Sequence, residues 1–438
     1  MRVAFVAANR ERLPSPVVPL GLVAVATACP ERHERHVLDL CFEDDPIAAL
    51  QTFVERVRPD VVALGLRNVH DNDYADTRGR VDEYRALVAA IREVSDAKVV
   101  LGGGGYTLLA RELLEETGAD FGVAGEGELA FAQLLDALEA REGVERVGGV
   151  HRFVDGQVLA PTRPAAGVDL ERTPFPDRRW VDRRHYVEVG TESVQTKRGC
   201  RMRCSYCTYP EIEGRLSRLR PPELVARELD HVAEVAPEVD HVFVVDAVFN
   251  LPRPHALAVC DALIARERTI PWTCYVNPID FGAPLAERMA AAGCLGMEIG
   301  SDSGSDAVLG RLRKGFDTRA VRRTSEVARA AGLRDCHTFL LGTPGETLDD
   351  VRRTLDFVAD LDPSAAILMV WKDAHEPVDA ARARERAKLR EETLSLLEAN
   401  RDRNPRWVIP PLDHRFSDRL FSALRRQGLR GPAWLHLG

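Results

Sequence analysis

The stretch that decides the reading is Gln195-Thr196-Lys197-Arg198-Gly199-Cys200-Arg201-Met202-Arg203-Cys204-Ser205-Tyr206-Cys207. Its cysteines are spaced C-x3-C-x2-C, with an aromatic residue directly before the last thiol. Three thiolates this close in sequence can each hold one iron of a cubane [4Fe-4S] cluster, leaving the fourth iron open to a small molecule. The competing reading is half of a structural zinc site. Zinc takes four ligands, commonly as paired Cys or Cys/His units. No second unit accompanies this one: Cys29, Cys41, Cys260, Cys274, Cys294 and Cys336 are widely spaced. They read as ordinary buried thiols. A disulfide framework does not fit so few cysteines in so long a chain.

Downstream of the loop, over residues 191–365, strand and helix patterns alternate. Strands are expected at Val194–Thr196, His241–Val245, Trp272–Val276, Leu295–Ile299 and Asp335–Leu341. Helices are expected at Pro222–Val235, His255–Arg266, Ala286–Ala292 and Thr318–Ala331. Each strand ends in a polar tail: the cysteine loop, Asp246 to Asn250, Asn277-Pro278, Gly300 to Ser305, and Gly342-Thr343-Pro344-Gly345-Glu346-Thr347. Reactive residues of α/β barrels gather at such carboxyl ends. The five strands named are read as part of a partial (β/α)6 barrel. For the acidic residues among these tails, helix capping and ion pairing are the competing roles.

Upstream, over residues 1–145, short apolar runs at Val3–Ala7, Val37–Leu40, Val61–Leu66, Lys98–Leu101 and Phe121–Ala124 alternate with amphipathic stretches at Ile47–Val57, Val81–Ile91, Leu108–Glu116 and Leu129–Ala140. Such repeats predict an α/β, flavodoxin-like, doubly wound parallel sheet. Ligands of these sheets sit beyond the strand carboxyl ends. There the chain places Arg67-Asn68-Val69-His70-Asp71-Asn72-Asp73-Tyr74, Gly102-Gly103-Gly104-Gly105-Tyr106-Thr107 and Gly125-Glu126-Gly127-Glu128. Glycines let backbone N–H groups approach a large ligand; tight strand–helix turns would use them equally well. Residues 146–190 read as a linker with a hairpin at its Asp155-Gly156 turn. Residues 366–438 read as a small, mostly helical cap, with helices at Val378–Glu398 and Phe416–Leu424.

The 438 residues are 45% apolar and carry a net charge of −9. That is material for two or three domains and speaks against a globally basic nucleic-acid surface. The sequence shows neither a signal peptide's basic and apolar regions nor a run near the roughly 18 apolar residues that span a bilayer. A cytoplasmic location with reduced thiols is expected, without membrane attachment.

The cysteine loop closely resembles that of radical S-adenosylmethionine (SAM) enzymes. With a flavodoxin-like domain before it, nearly the whole chain resembles the cobalamin-binding radical SAM family. Pro19-Leu20-Gly21-Leu22, the Gly102–Gly105 run and Gly125-Glu126-Gly127-Glu128 also look like that family's pattern. The resemblance implies three cofactors: a [4Fe-4S] cluster on Cys200, Cys204 and Cys207, SAM, and cobalamin. It assigns SAM to Tyr206, Asp246, Asn250, Glu298, Ser301 and Ser303, and cobalamin to Arg67, Asn68, His70, Gly103, Gly104, Gly105, Tyr106, Gly125 and Glu126. It also implies a C-terminal piece that closes over the substrate; a structural clasp on the barrel's side is the competing role.

Two departures are visible. The D-x-H-x-x-G motif, whose histidine binds cobalt in many cobalamin proteins, is absent. That leaves a histidine-free corrinoid site, or a domain that has kept its shape and lost the cofactor; His70 could lie under the cobalt or serve as a surface or hydrogen-bonding group. Where relatives often read Gly-x-Glu-Ser-Gly, this chain reads Gly300-Ser301-Asp302-Ser303-Gly304.

The activity implied is reductive SAM cleavage, with cobalamin-dependent methyl transfer to an unactivated centre of a small natural-product intermediate. An electron donor such as flavodoxin or ferredoxin follows. Alternatives are a rearrangement, an oxidation, a 3-amino-3-carboxypropyl transfer, or a non-enzymatic cobalamin or metal sensor. RNA methylthiotransferases share the domain order but carry three more cluster cysteines in the first domain and a terminal RNA-binding barrel. Here that domain holds only Cys29 and Cys41, and the tail reads as helical.

Overall fold

Two seven-stranded sheets follow one another along the chain. The computed structural model describes residues 1–12, 16–70, 79–182, 186, 192–266, 270–372, 379–412, 426–429 and 431–437. The expected helix at Phe416–Leu424 and the loop residues Asp71 to Tyr74 lie outside the described residues.

The first sheet comprises β1 (Arg2–Ala7), β2 (Glu34–Asp39), β3 (Val61–Gly65), β4 (Lys98–Gly102), β5 (Phe121–Val123), β6 (Val150–Val154) and β7 (Gln157–Leu159), in the order β2-β1-β3-β4-β5-β6-β7. β1 to β5 are parallel. Alternate side chains are buried on both faces, as a parallel sheet between helix layers requires. Ala4, Val6, Val62 and Leu64 pack under the helices Pro46–Val57 and Val81–Val94. Val3, Phe5, Val61 and Val100 pack under Leu20–Ala28 and Gly127–Ala140. The strand order reverses between β2-β1 and β3-β4-β5, so β1 and β3 flank the switch-point crevice where such sheets bind ligands. The hairpin read as part of a linker instead prolongs this sheet: β6 pairs antiparallel with β5. Its turn residues Asp155 and Gly156 have φ of 51° and 77°, as an Asp-Gly hairpin turn demands.

The second sheet curves as a partial barrel. Its strands are β8 (Glu192–Val194), β11 (Val242–Val244), β12 (Trp272–Val276), β13 (Cys294–Asp302), β14 (Arg334–Leu341), β15 (Ala365–Val370) and β16 (Trp407–Val408), all parallel and in that spatial order. A two-residue pair, β9 (Lys197–Arg198) with β10 (Arg218–Leu219), ties off the two ends of the cysteine loop. Six β/α strands form the barrel, and β16 adds a short seventh from the tail. The sixth strand, β15, runs across the boundary expected at residue 365. Its apolar run Ala365 to Val370 has no alternation to mark it as a strand.

In the tail, the helix Ala380–Ala399 is capped by Asp379, whose side chain accepts from the N–H groups of Ala381 and Arg382. Only Thr393 and Leu397 of it are buried, as its charged pattern predicts. The last described residues depart from expectation. Gly431 packs on His241 and Trp434 on Gly296, and Arg334 donates to the Leu437 carbonyl at 3.1 Å. These contacts lie at the amino ends of the strands. This segment plugs the barrel from the end opposite the cysteine loop; it does not close over that loop.

Candidate active site

The cysteine loop is fixed by main chain. The Cys200 N–H donates to Gly214 O at 3.1 Å, Ser205 N–H to Leu312 O at 3.0 Å and Cys207 N–H to Cys204 O at 3.4 Å. Gly199, at φ 88°, presses against the Leu216 carbonyl, where no side chain fits. Cys200 is buried, while Cys204 and Cys207 are half-buried. Burial pushes all three thiols up, and each is raised further by a neighbour in the trio. Three converging thiols that resist ionisation need a cation to become thiolates. Three thiolates from one short loop are a donor set that can hold three corners of a cubane.

Beside the thiols, Tyr206 donates its hydroxyl to Asp302 Oδ2 at 2.6 Å. Lys314 pairs with the same oxygen at 2.8 Å and reaches the Tyr206 oxygen at 3.2 Å. Asp302 and Lys314 are both buried. Asp302 has φ 60° and sits at a register slip of β13 against β14. The left-handed region tolerates Asp better than longer carboxylates, which accounts for the shorter acid here.

Several residues assigned to SAM are spent elsewhere. Asp246 is fully buried and accepts from Thr196 N–H at 2.7 Å, Thr196 Oγ1 at 2.5 Å and Lys197 Nζ at 2.9 Å. Asn250 donates to the carbonyls of Asn277 and Ile279 at 3.0 and 2.8 Å and accepts from Asn277 N–H at 2.9 Å. Both hold strand ends together. Ser301 and Ser303 point outward, toward the helix layer. Ser301 bonds His337 at 2.7 Å and Ser303 bonds Thr354 at 3.1 Å, and neither hydroxyl is exposed. The strand period of two explains this: Glu298, Gly300 and Asp302 share the lumen face, so Ser301 cannot. Glu298 lies deeper than Asp302 and accepts from Trp434 Nε1 at 2.8 Å.

The carboxyl ends of both sheets open into one cavity of about 1110 Å³. Of the residues assigned to cobalamin, Arg67, Gly103, Gly104, Gly125 and Glu126 line it. Asn68, His70, Gly105 and Tyr106 do not. Asn68 donates to Asn9 at 3.3 Å, and His70 bridges to Gly79. A Cβ at Gly105 would stand 3.1 Å from the Arg67 main chain. Tyr106 is fully buried against Gly122, inside the domain core. Glu126 faces the cavity but is bound to Arg218 and, at 2.6 Å, to the Val168 N–H. The cavity nevertheless suits a large flat ligand. A Cβ at Gly21 would meet nothing within 4 Å, and one at Gly102 only the Val123 carbonyl at 3.8 Å. Both glycines line the cavity, so bare backbone faces a space that side chains would otherwise fill.

One feature was not anticipated. Arg198, just before the cysteines, pairs with Glu128 at 2.5 Å and with Glu126 at 3.5 Å. It joins the cysteine loop to the glycine-rich loop after β5. The partners lie seventy residues apart in sequence, and no local pattern links them.

Residues 7–135 match the B12 binding domain and residues 194–358 the Radical SAM superfamily. A tryptophan 2-C-methyltransferase of Streptomyces laurentii is 27% identical over 421 residues, spanning 81% of this chain and 70% of the relative. The radical SAM methyltransferase TsrM of Kitasatospora setae, solved with cobalamin and a [4Fe-4S] cluster, superposes with TM-score 0.85 at 23% identity, covering 99% of this chain and 96% of that one. TsrM solved with tryptophan and a SAM analogue gives TM-score 0.76 at 27% identity, covering 84% and 72%. Among the described residues no helix is long and apolar enough to cross a membrane. With both domains matched in this order and a full-length structural counterpart, the chain belongs to the cobalamin-binding radical SAM enzymes.

Proposed function

We propose that the chain is a methyltransferase that moves a methyl group from SAM to an unactivated or weakly nucleophilic carbon of a small molecule, by way of cobalamin. The single observation that carries this reading is the shared cavity. At about 1110 Å³ it exceeds the roughly 300–1,000 Å³ of a pocket for one drug-sized ligand, and it receives the ligand ends of both sheets. The methyltransferase relatives support the reaction class, and tryptophan in TsrM supports a small-molecule substrate.

When bound, the cluster supplies an electron to a sulfonium and the corrinoid supplies a cobalt that carries methyl. The protein's own residues do the rest. Cys200, Cys204 and Cys207 would hold the cluster. Tyr206, kept in place by Asp302 and Lys314, forms a fixed polar wall beside it. Arg67 and the backbone of Gly102 to Gly104 form the cavity's wall on the first domain. The Arg198–Glu128 pair holds those walls in one register. Apolar side chains such as Phe5, Leu22 and Phe131 line the space between and exclude water. An external one-electron donor of the flavodoxin or ferredoxin class is required.

The test is anaerobic purification, cluster reconstitution and incubation with hydroxocobalamin. Retained corrinoid with its own visible spectrum, together with methyl transfer from labelled SAM to a small-molecule acceptor, supports the reading. Iron-loaded protein that cleaves SAM yet retains no corrinoid would overturn it in favour of a cobalamin-independent radical reaction.

A further inference from the structure

Below the cysteine loop the barrel lumen is mostly apolar. Phe243 of β11, Tyr275 of β12, Ile367 of β15 and Val408 of β16 face it, and Trp434 of the C-terminal segment forms its floor. The Phe243 and Tyr275 rings meet edge to face, 4.9 Å between centroids. Glu298 stands among them, on the strand in the middle of the sheet.

Among the described residues its surroundings offer no counter-ion. Trp434 Nε1 donates to Oε1 at 2.8 Å. Burial, opposed only by that hydrogen bond, pushes the carboxyl up to about 7, and no neighbouring charge contributes. Among the described residues the basic side chains lining the cavity are Arg67, Arg198 and Arg220. Arg198 pairs with Glu126 and Glu128, and Arg220 with Glu228. Arg67 stands across the cavity, on the first domain. An ionised carboxylate without a partner in such a place is costly. Aromatic faces around one carboxylate make a receptor for a cation, which draws on ring quadrupoles and on the charge together.

We infer that the barrel lumen receives the protonated amine of the substrate, its nitrogen paired with Glu298 and its carbon skeleton packed against Phe243, Tyr275 and Trp434. This rests on the proposed function in taking the shared cavity as the substrate site, and it names the substrate class: a small apolar or aromatic amine. The amine end points down toward the plug, so the opposite end of the molecule faces the glycine-rich edge of the first sheet. Trp434 is then a positioning residue, since it orients the carboxylate.

The alternative role for Glu298 is to hold the plug or, as the resemblance implies, to meet SAM, and neither makes the protein prefer an amine. The variant Glu298→Gln separates these from amine binding, because its amide oxygen still accepts from Trp434 while its charge is gone. Reconstituted holoenzyme is titrated calorimetrically at about pH 8, where the acid is ionised and simple amines are protonated. The probes are tryptamine and benzylamine, each against its neutral counterpart, tryptophol and benzyl alcohol. In the native protein each amine is expected to bind about tenfold more tightly than its alcohol. In Glu298→Gln that preference falls to within about twofold, with corrinoid retention unchanged. An amine preference that survives in Glu298→Gln, no preference in the native protein, or no binding of any of the four probes overturns the inference. Failure of the methyl-transfer reading shows separately, as lost corrinoid or absent methyl transfer while the amine preference persists.

Discussion

At its carboxyl edge the first sheet offers the cavity glycine and main chain, whereas the barrel's carboxyl edge is built from the cysteine loop and charged side chains. Gly21, Gly102, Gly103 and Gly104 face the space from one side. The barrel's carboxyl edge carries the cysteine loop together with Asp302, Lys314 and Lys197, three side chains that are buried and paired. The contrast separates two ways of holding a ligand. A large, rigid macrocycle is held by shape, and each added Cβ is a graded intrusion. A cluster with a charged small molecule is held by ligands and fixed dipoles, where losing one group removes the function.

The comparison breaks most sharply at the cysteines. Cys204→Ala should abolish 5′-deoxyadenosine formation and leave the cubane signal in paramagnetic resonance absent or strongly altered, while the first domain still retains corrinoid. Unchanged turnover would refute the cluster assignment.

Next comes the contact that joins the two edges. Arg198 and Glu128 are 16% and 5% exposed in their side chains, and removing one member of a buried pair costs about 3–5 kcal/mol. Arg198→Ala should therefore lower unfolding free energy by that order and also loosen corrinoid and cluster together. A variant that loses only one cofactor would show that the two edges are independent.

On the glycine side the effect should be smaller. Gly103 has φ 96°, and a Cβ there would stand 2.6 Å from the Leu66 carbonyl. Gly103→Ala should cost about 2–3 kcal/mol in chemical denaturation and weaken corrinoid retention while sparing the cluster. Full retention of corrinoid would argue that this edge only turns the chain.

The smallest effect belongs to Glu298, and its sign is the informative part. Its folded-state pKa, about 7, lies above its ordinary 4.5. The raised acid therefore favours folding while it is protonated, and the penalty of ionising it grows from about pH 4.5 to about 7 and is complete above. Glu298→Gln should be more stable than the native protein by about 1–2 kcal/mol at alkaline pH, the full shift being discounted for water in the cavity. The difference should vanish near pH 5 in thermal or denaturant unfolding. A pH-independent difference would mean that the carboxyl titrates normally.

Sequence patterns reported those features in which neighbouring residues act together. The C-x3-C-x2-C spacing, the five β/α repeats of the first domain and the polar strand ends of the barrel all express local periodicity or ligand spacing, and such signals survive without coordinates. β15 escaped because an unbroken apolar run has no period, and the hairpin after residue 149 was legible as a turn but not as an edge of the first sheet.

The roles of single side chains depended on direction, and only tertiary structure fixes direction. Ser301 and Ser303 fall one step out of phase with the lumen. Asp246 and Asn250 spend their hydrogen bonds on neighbouring strands. The tail seals the far end of the barrel. Arg198 finds Glu128 across the interface of the two halves. Chemistry held in a short loop is written in consecutive residues; contacts between distant segments are set by how two sheets twist and pack, and no run of neighbours encodes that.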